Sequence, residues 1–498
     1  MREPTSPIEL VAPRTPRLSS RAVAVSADVA DRLAAIAPTL TTTADSEAIA
    51  EASRDWWPLA MRWALDGFVP QSAAVLCRPT TTEQVSAILA ICHAERIPVT
   101  AAGGRSGVCG ASIPLHGGVL LDLSTMHGVV SVDDISLVAE VLPGTFGPDL
   151  EAHLAPLGLT LGHYPQSFDI STVGGWLACR GAGQYSTRYG KIEDMVVGLE
   201  VVLADGRVIR TGGAPRAAAG PDLNQVFVGS EGTLGIITRA WLRLHPAAVC
   251  ERRAVYGFGN FTSGLDACRR IMQRGATPAV LRLYDGPESK RGQGGDGDVC
   301  VLLVLDEGDV ASVSATMSVV DEECLATTGC SPRDVEAVEK WMHHRNDTSA
   351  LQALTRKGFV VDTMEITGAW SRLPAIFDAA TSALLSVEHA RSATCHLSHS
   401  YTDGACLYFT FAASPPPDEF ERTYNALWEA GSRAILSAGG NLSHHHGVGL
   451  NRARFVAEAL GQALDVVSAI KNALDPHGIL NPGKMGLPDR FETATGDE

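Results

Sequence analysis

The chain has 498 residues, 45% of them hydrophobic and 19% charged, with 49 glycines and a formal net charge of −16. That length exceeds what one compact core holds, so two or three domains are expected. The acidic balance, without clustered Lys and Arg, excludes nucleic acid as a partner and requires a local basic pocket for any anionic substrate.

Residues 1–26 mix Pro, Ser, Thr and Arg and contain no apolar run suited to a signal peptide or a membrane helix, so a loose leader is expected. Eleven cysteines without a CxxC pair fit reduced thiols in a cytoplasmic protein. A helical stretch over about 27–66 comes next. Over 79–98 the spacing of Val85, Ile88, Leu89 and Cys92 predicts a helix, with Thr80 and Glu83 as its capping box. Strands are expected at 98–101, 118–123, 129–132, 137–141, 195–203, 208–210 and 235–244, separated by Gly, Pro and Asp turns. The texture then changes to longer amphipathic stretches with strands at 300–305 and 405–411 and a glycine-rich break at 286–297. A last helix is expected over 454–474, stopped by Pro476. The divisions are a tail and helical region at 1–70, a first domain at 71–246, a second at 247–434, and a closing segment at 435–498.

Three glycine-rich segments carry chemistry. Val99-Thr-Ala-Ala-Gly-Gly-Arg-Ser-Gly-Val-Cys-Gly110 runs from a strand into a loop whose amides can form an anion nest for a pyrophosphate; a tight turn explains it equally well. It is not GxGxxG, which disfavours a Rossmann site. Gly162-His-Tyr-Pro-Gln-Ser-Phe-Asp-Ile-Ser-Thr-Val-Gly-Gly175 sets hydroxyls and bare backbone where a flat polar ring system or its phosphates could lie. The third is Gly229-Ser-Glu-Gly-Thr-Leu-Gly-Ile-Ile237. Singly, each could be structural.

In this order and at these separations, the three resemble the FAD domain of the vanillyl-alcohol-oxidase/PCMH-type flavoproteins. The resemblance implies an α+β chain with a two-lobed FAD-binding domain, an α/β cap for the substrate, and a C-terminal segment returning to the FAD side. It implies FAD contacts from Gly103, Gly104, Arg105, Ser106, Gly107 and Val108; from Gln166, Ser167, Asp169, Ser171 and Thr172; from Leu177 and Arg180; and from Glu231, Gly232, Thr233, Gly235, Ile236 and Ile237. Arg105 stands near the place where some relatives carry a histidine that attaches FAD covalently, so FAD is expected to be non-covalent.

The distal half resembles the alkyldihydroxyacetonephosphate synthase branch in His163, Arg216 before Gly220-Pro-Asp222, Arg282 in Leu-Arg-Leu-Tyr-Asp285, Tyr401, and Ser443-His-His-His-Gly-Val-Gly449. That resemblance implies exchange of the acyl group of acyl-dihydroxyacetone phosphate for a fatty alcohol, a step of ether-lipid biosynthesis in which FAD serves as a covalent trap. Tyr401, His444, His445 and His446 are then acid/base candidates, His163 a polar group near the flavin, and Arg282 and Arg216 anion holders. The competing D-2-hydroxyacid dehydrogenase branch holds a divalent metal with motifs that are lost here, where 400–407 reads Ser-Tyr-Thr-Asp-Gly-Ala-Cys-Leu and His445 replaces a glutamate. Strand alternation would let His444 and His446 share a metal and would bar His445; no metal is expected.

The synthases carry a long insertion after Arg282, whereas only 286–297 intervenes here. Oxidation of a smaller hydroxylated substrate is therefore the alternative. The tail Gly478-Ile-Leu-Asn-Pro-Gly-Lys-Met485 nearly spells a P-loop, but Met485 replaces the magnesium-binding hydroxyl and Pro482 removes an amide. The partner is expected to be a small molecule, a lipid phosphate under the synthase reading, with no transmembrane segment, although peripheral membrane contact stays compatible. A homodimer is implied by the resemblance alone.

Overall fold

The computed structural model describes residues 8–11, 15–18, 22–37, 46–292 and 297–491. They form five sheets, of which two are only two-stranded and three carry the architecture. In the three-stranded one, Val75–Cys77, Val119–Asp122 and Val99–Ala102 run parallel with Val119–Asp122 in the centre. All three strands are almost wholly buried, the continuous apolar texture that a sheet covered on both faces demands. The helix Thr82–Glu95 links the first two strands in the chain and packs Val85, Ile88, Leu89 and Cys92 into the shared core. Its N-cap is Thr81, whose hydroxyl accepts from Gln84 N, rather than Thr80, which bonds the Gln84 side chain instead.

A five-stranded antiparallel sheet follows in the order Val208–Gly212, Val196–Val202, Ile236–Arg243, Val138–Val141, Val129–Asp133. The third sheet has seven strands in the order Ser331–Pro332, Cys250–Phe258, Cys300–Gly308, Val280–Tyr284, Ala390–Ser400, Gly404–Ala413, Val360–Ala369. Alternation along Val280–Tyr284 decides what each face does. Leu281 and Leu283 lie fully buried under the helices Phe261–Gln273, Val310–Leu325, Leu373–Ser386 and Phe420–Ser437, each burial contributing about 1.5–3 kcal/mol. Val280 and Tyr284 enter a second core that also contains Leu150, Tyr185, Leu199 and Val201 of the first lobe. Arg282 shares that second face, so it is aimed between the lobes rather than at solvent.

Several expectations are corrected. The described part of 1–26 is pinned: Thr15–Pro16 pairs with Phe68–Val69, and Val23 bridges to Gly117; residues 1–7, 12–14 and 19–21 lie outside the described residues. The stretch 286–297 begins with a short helix, Gly286–Gly292, and 293–296 lie outside the described residues. The terminal helix is two pieces, Val456–Leu460 and Ala463–Leu474, because Gly461 sits at φ +52°. The tail after it folds back: Val99 N donates to Ile479 O and Asn481 N to Val99 O at 2.8 Å each, which extends the parallel sheet beside the loop that leaves Ala102.

That loop lies against residues 170–172 so closely that a Cβ on Gly104 would sit 2.2 Å from the Ile170 carbonyl oxygen. Gly104→Ala must separate two backbones, an overpacking cost of about 1–3 kcal/mol. Denaturant unfolding should show that loss, together with weaker flavin uptake, whereas Gly259→Ala, with nothing within 4 Å of the new methyl, should leave stability unchanged.

Candidate active site

One cavity of about 870 Å³ lies between the loops of the first lobe and the seven-stranded sheet. It falls in the range of cofactor and ligand sites. Its first wall is built from Gly103, Gly104, Arg105, Ser106, Gly107 and Val108 at the carboxyl end of Val99–Ala102, from Gln166, Ser167, Ser171 and Thr172, and from Glu231, Gly232, Gly235, Ile236 and Ile237. Four expected contacts fall elsewhere. Leu177 is fully buried in the core. Arg180 turns away to Gln225 at 2.6 Å. Asp169 is exposed and off the wall. Thr233 spends its hydroxyl on Ser230 O at 2.7 Å. Glu231 reaches the wall, but its carboxylate accepts the Val448 and Gly449 N–H groups, the latter at 2.8 Å.

The wall holds buried polar atoms with no protein partner, among them Thr172 Oγ1, Gln184 Oε1 and Ser398 Oγ. Such atoms cost free energy when dry and unpaired, so the cavity is built for a polar guest that supplies the missing hydrogen bonds. The buried tail supports the same wall: Asn481 Nδ2 donates to Ala111 O and Glu231 O, and Lys484 Nζ to Ile113 O at 2.6 Å. It is a clamp on two loops and not a phosphate loop.

The opposite wall is cationic. Arg282, Arg291, Lys340 and Arg345 all border the cavity. Arg282 donates to Tyr284 Oη at 2.8 Å and lies 2.6 Å from His396 Nε2, whose Nδ1 is 3.0 Å from Glu288. That geometry orders a neutral His396 with its proton toward Glu288, and burial together with Arg282 lowers its pKa accordingly. Arg345 stacks 4.9 Å from the Tyr185 ring and 5.7 Å from Trp341, and its Nη1 is buried without a partner. Aromatic walls that hold a guanidinium while leaving an N–H free suit recognition of a carboxylate or phosphate. Arg345 does not stand out in the sequence, and Cys395, His396 and His399 do so only as zinc-competent residue types. Arg216 is exposed on a loop and does not border the cavity, so it holds no anion there.

The three histidines lie in an irregular loop, so strand alternation does not govern them. Glu365, fully buried on Val360–Ala369, gathers that loop: one oxygen accepts from Ser443 Oγ at 2.7 Å and His446 N at 2.9 Å. The same carboxylate pairs with buried Arg452 and lies 2.9 Å from His446 Nδ1. Burial alone would raise its pKa, but Arg452, His446 and His445 hold it well below the carboxylate range.

His445 and His446 reach the cavity; Tyr401 and His444 stand one layer behind. Tyr401 Oη and His444 Nε2 are 2.6 Å apart, and His444 Nδ1 and His445 Nδ1 2.7 Å apart. A hydrogen-bonded chain thus runs from Tyr401 through His444 to a cavity-facing imidazole. Beside it His399, also on the wall, has Nδ1 2.6 Å from Ser186 Oγ. Burial and neighbouring cations hold His399, His444 and His445 well below the ordinary imidazole pKa, so they are neutral bases at pH 7. His399, His444 and His445 also bring one ring nitrogen each within 4.8 Å of the others; the loop geometry therefore admits His445 to the cluster that alternation would have denied it. Two nitrogens bound to one tetrahedral zinc stand roughly 3.3 Å apart, so the His444–His445 separation is that of a shared proton. His163 is fully buried beside Trp176, both ring nitrogens lack a partner, and burial lowers its pKa to about 3. It does not itself border the cavity but lies directly behind Trp176 and Gly181, which do.

Residues 73–212 match the family model of an FAD binding domain, and residues 250–485 that of the C-terminal domain of FAD linked oxidases. The chain is 33% identical to an uncharacterized FAD-linked oxidoreductase, YgcU, of Escherichia coli K12, over 84% of this chain and 89% of that protein. It is 29% identical to alkyldihydroxyacetonephosphate synthase of Dictyostelium discoideum, over 84% of this chain and 74% of that protein. A solved alkyldihydroxyacetonephosphate synthase structure superposes with a TM-score of 0.76 at 24% identity, covering 94% of this chain and 86% of the other. The cofactor is FAD, and the wall fits it: the glycine loops and unpaired hydroxyls face the cavity that FAD would fill. Among the described residues no helix is long and apolar enough to cross a membrane.

Two outcomes are expected. Acid precipitation should leave the flavin in the supernatant, since no histidine stands in the 103–110 loop; yellow protein after washing would overturn non-covalent binding. Glu365→Gln leaves Arg452 buried without its counter-charge, so unfolding free energy should fall by about 3–5 kcal/mol in denaturant titration.

Proposed function

Because the chain belongs to the FAD-linked oxidase family, we propose that it is an alkyldihydroxyacetonephosphate synthase-like enzyme, exchanging the acyl group of an acyl-dihydroxyacetone phosphate for a fatty alcohol. The observation that carries this reading is the Tyr401–His444–His445 chain ending on the same cavity that Arg282 and Arg345 border. FAD supplies the electrophilic, redox-active centre. Arg282 and Arg345 hold the phosphate by charge-assisted hydrogen bonds. His445, neutral and cavity-facing, removes the proton from the carbon that carries the acyl group, and His444 and Tyr401 spread the charge it acquires. The same chain returns a proton as the carboxylate leaves and the alcohol oxygen takes its place. Atoms balance as ester plus alcohol giving ether plus carboxylic acid, with no net oxidation.

A second reading has its own support. The short helix Gly286–Gly292 stands where the synthases carry a long insertion, and bound FAD would take up part of the 870 Å³ cavity. That favours a small hydroxylated anion oxidised by the flavin, with the same histidine as base and the same arginines as anion holders.

Anaerobic mixing separates the two. Acyl-dihydroxyacetone phosphate with a long-chain alcohol should release fatty acid without lasting flavin bleaching; bleaching by a small 2-hydroxy acid, reversed by oxygen, would replace the first reading with the second. Under either reading His445→Ala should reduce turnover by about 10²–10⁴-fold while FAD stays bound, as absorbance of the purified variant would show.

A further inference from the structure

The segment between the helices Ser46–Ala52 and Pro58–Leu65 lies outside both matched family regions, yet Asp55 and Trp56 form part of the cavity wall. Asp55 is 1% exposed. Its Oδ1 accepts from Trp57 N at 3.1 Å, while Oδ2 is buried with no partner. Trp56 is 4% exposed, and its indole Nε1 is likewise buried and unpartnered. The neighbouring Trp57 shows how the fold satisfies an indole that faces only protein, since its Nε1 donates to Tyr424 Oη at 2.9 Å.

The two orphaned groups stand beside the first glycine loop. Trp56 N donates to Gly107 O at 2.9 Å, and a Cβ on Gly107 would lie 3.8 Å from Asp55 Oδ2. The Trp56 ring belongs to a small core against which Val108 and Ile170 pack, so its position is locked between two loops of the cofactor wall. Ser53 fixes the segment from the other side, donating to Ile49 O at 2.7 Å and accepting from Ala73 N at 3.1 Å. Two adjacent side chains, held rigidly, thus present unsatisfied polar atoms to one region of the cavity.

We propose that Asp55 and the Trp56 indole N–H donate hydrogen bonds to the diphosphate of FAD, so that residues 53–57 complete the anion site of the 103–108 loop. The inference rests on that loop carrying the diphosphate. An indole N–H only donates, and beside a diphosphate an acid can donate where a carboxylate would be repelled. The protonation state agrees: burial raises the Asp55 carboxyl to about 7, against the lowering effects of the Trp57 N–H, of Lys484 and of the Gly110 and Ser112 backbone. Lys484 is the cation beside it, its pKa lowered by burial to about 8 against the opposing pull of Asp55 and Glu231. Lys484 donates to Ile113 O, Arg105 is paired with Asp122, and the Cys179 thiol is pushed up by burial and stays protonated.

The test uses the full chain stripped of FAD and titrated with FAD and, separately, with ADP, which carries the diphosphate without the flavin ring. Trp56→Phe keeps the ring and removes the donor; it should weaken both ligands about tenfold, the worth of one hydrogen bond to a charged group. Since the acid form binds, wild-type affinity should be full below about pH 7 and fall as the carboxyl ionises above it. Asp55→Asn keeps a neutral donor and should flatten that decline, while Asp55→Ala should bind weakly throughout. Unchanged affinity for both ligands in Trp56→Phe, weakened FAD with unchanged ADP, or an Asp55→Asn profile that declines like wild type would each overturn the proposal. Should Asp55→Ala fail to fold, the other two variants decide it.

Discussion

One buried carboxylate organises the catalytic side of the molecule. Glu365 stands on a strand of the seven-stranded sheet with no exposure, and the loop carrying the three histidines is wrapped around it by backbone N–H groups, the Ser443 hydroxyl and Arg452. A charge removed from water is tolerated only when paired and fully hydrogen-bonded, and here the groups that satisfy it are the groups whose positions matter. The loop needs no regular secondary structure of its own. Its shape is that of the shell around one anion, and His445 is set facing the cavity as a consequence.

The two walls of the cavity divide the work by chemistry. Backbone and small polar side chains from the first lobe offer many weak donors suited to a long, extended cofactor. The second lobe offers guanidinium groups, Arg282 on its sheet and Arg345 at the end of the helix Glu336–His344, whose orientation is fixed by the His396–Glu288 pair and by aromatic rings. A neutral imidazole between them is favoured because burial and nearby cations both resist its protonation. Electrostatics thus keeps a neutral imidazole and charged guanidinium groups on one low-dielectric cavity.

Much of this was legible in the sequence, for identifiable reasons. The 103–108 loop is a local feature of backbone chemistry, so its glycines announce it. Arg282 could be placed on the face opposite Leu281 and Leu283 by alternation, although only the pairing of strands showed that this face looks inward. The histidine loop defeated the same rule, because a residue wrapped around Glu365 obeys that carboxylate rather than a two-residue period. Arg345 and Asp55 gave no local signal, and His396 and His399 showed only a metal-competent residue type without their partners Arg282 and Ser186: each gains its place through contacts more than a hundred residues away in sequence or at the meeting of separate segments. Leu177, Arg180 and Thr233 show the converse, since a motif can run along a wall while individual side chains turn from it.

The buried tail has a consequence for how the protein is made. Asn481 and Lys484 seal the turns at 111–113 and 231, and Ile479 to Asn481 extend the first sheet beside Val99. During synthesis the nucleotide-binding half therefore leaves the ribosome long before its own seam can close. Until residues 479–484 emerge, after the whole second lobe, that half is a partly open shell whose two loops lack their clamp.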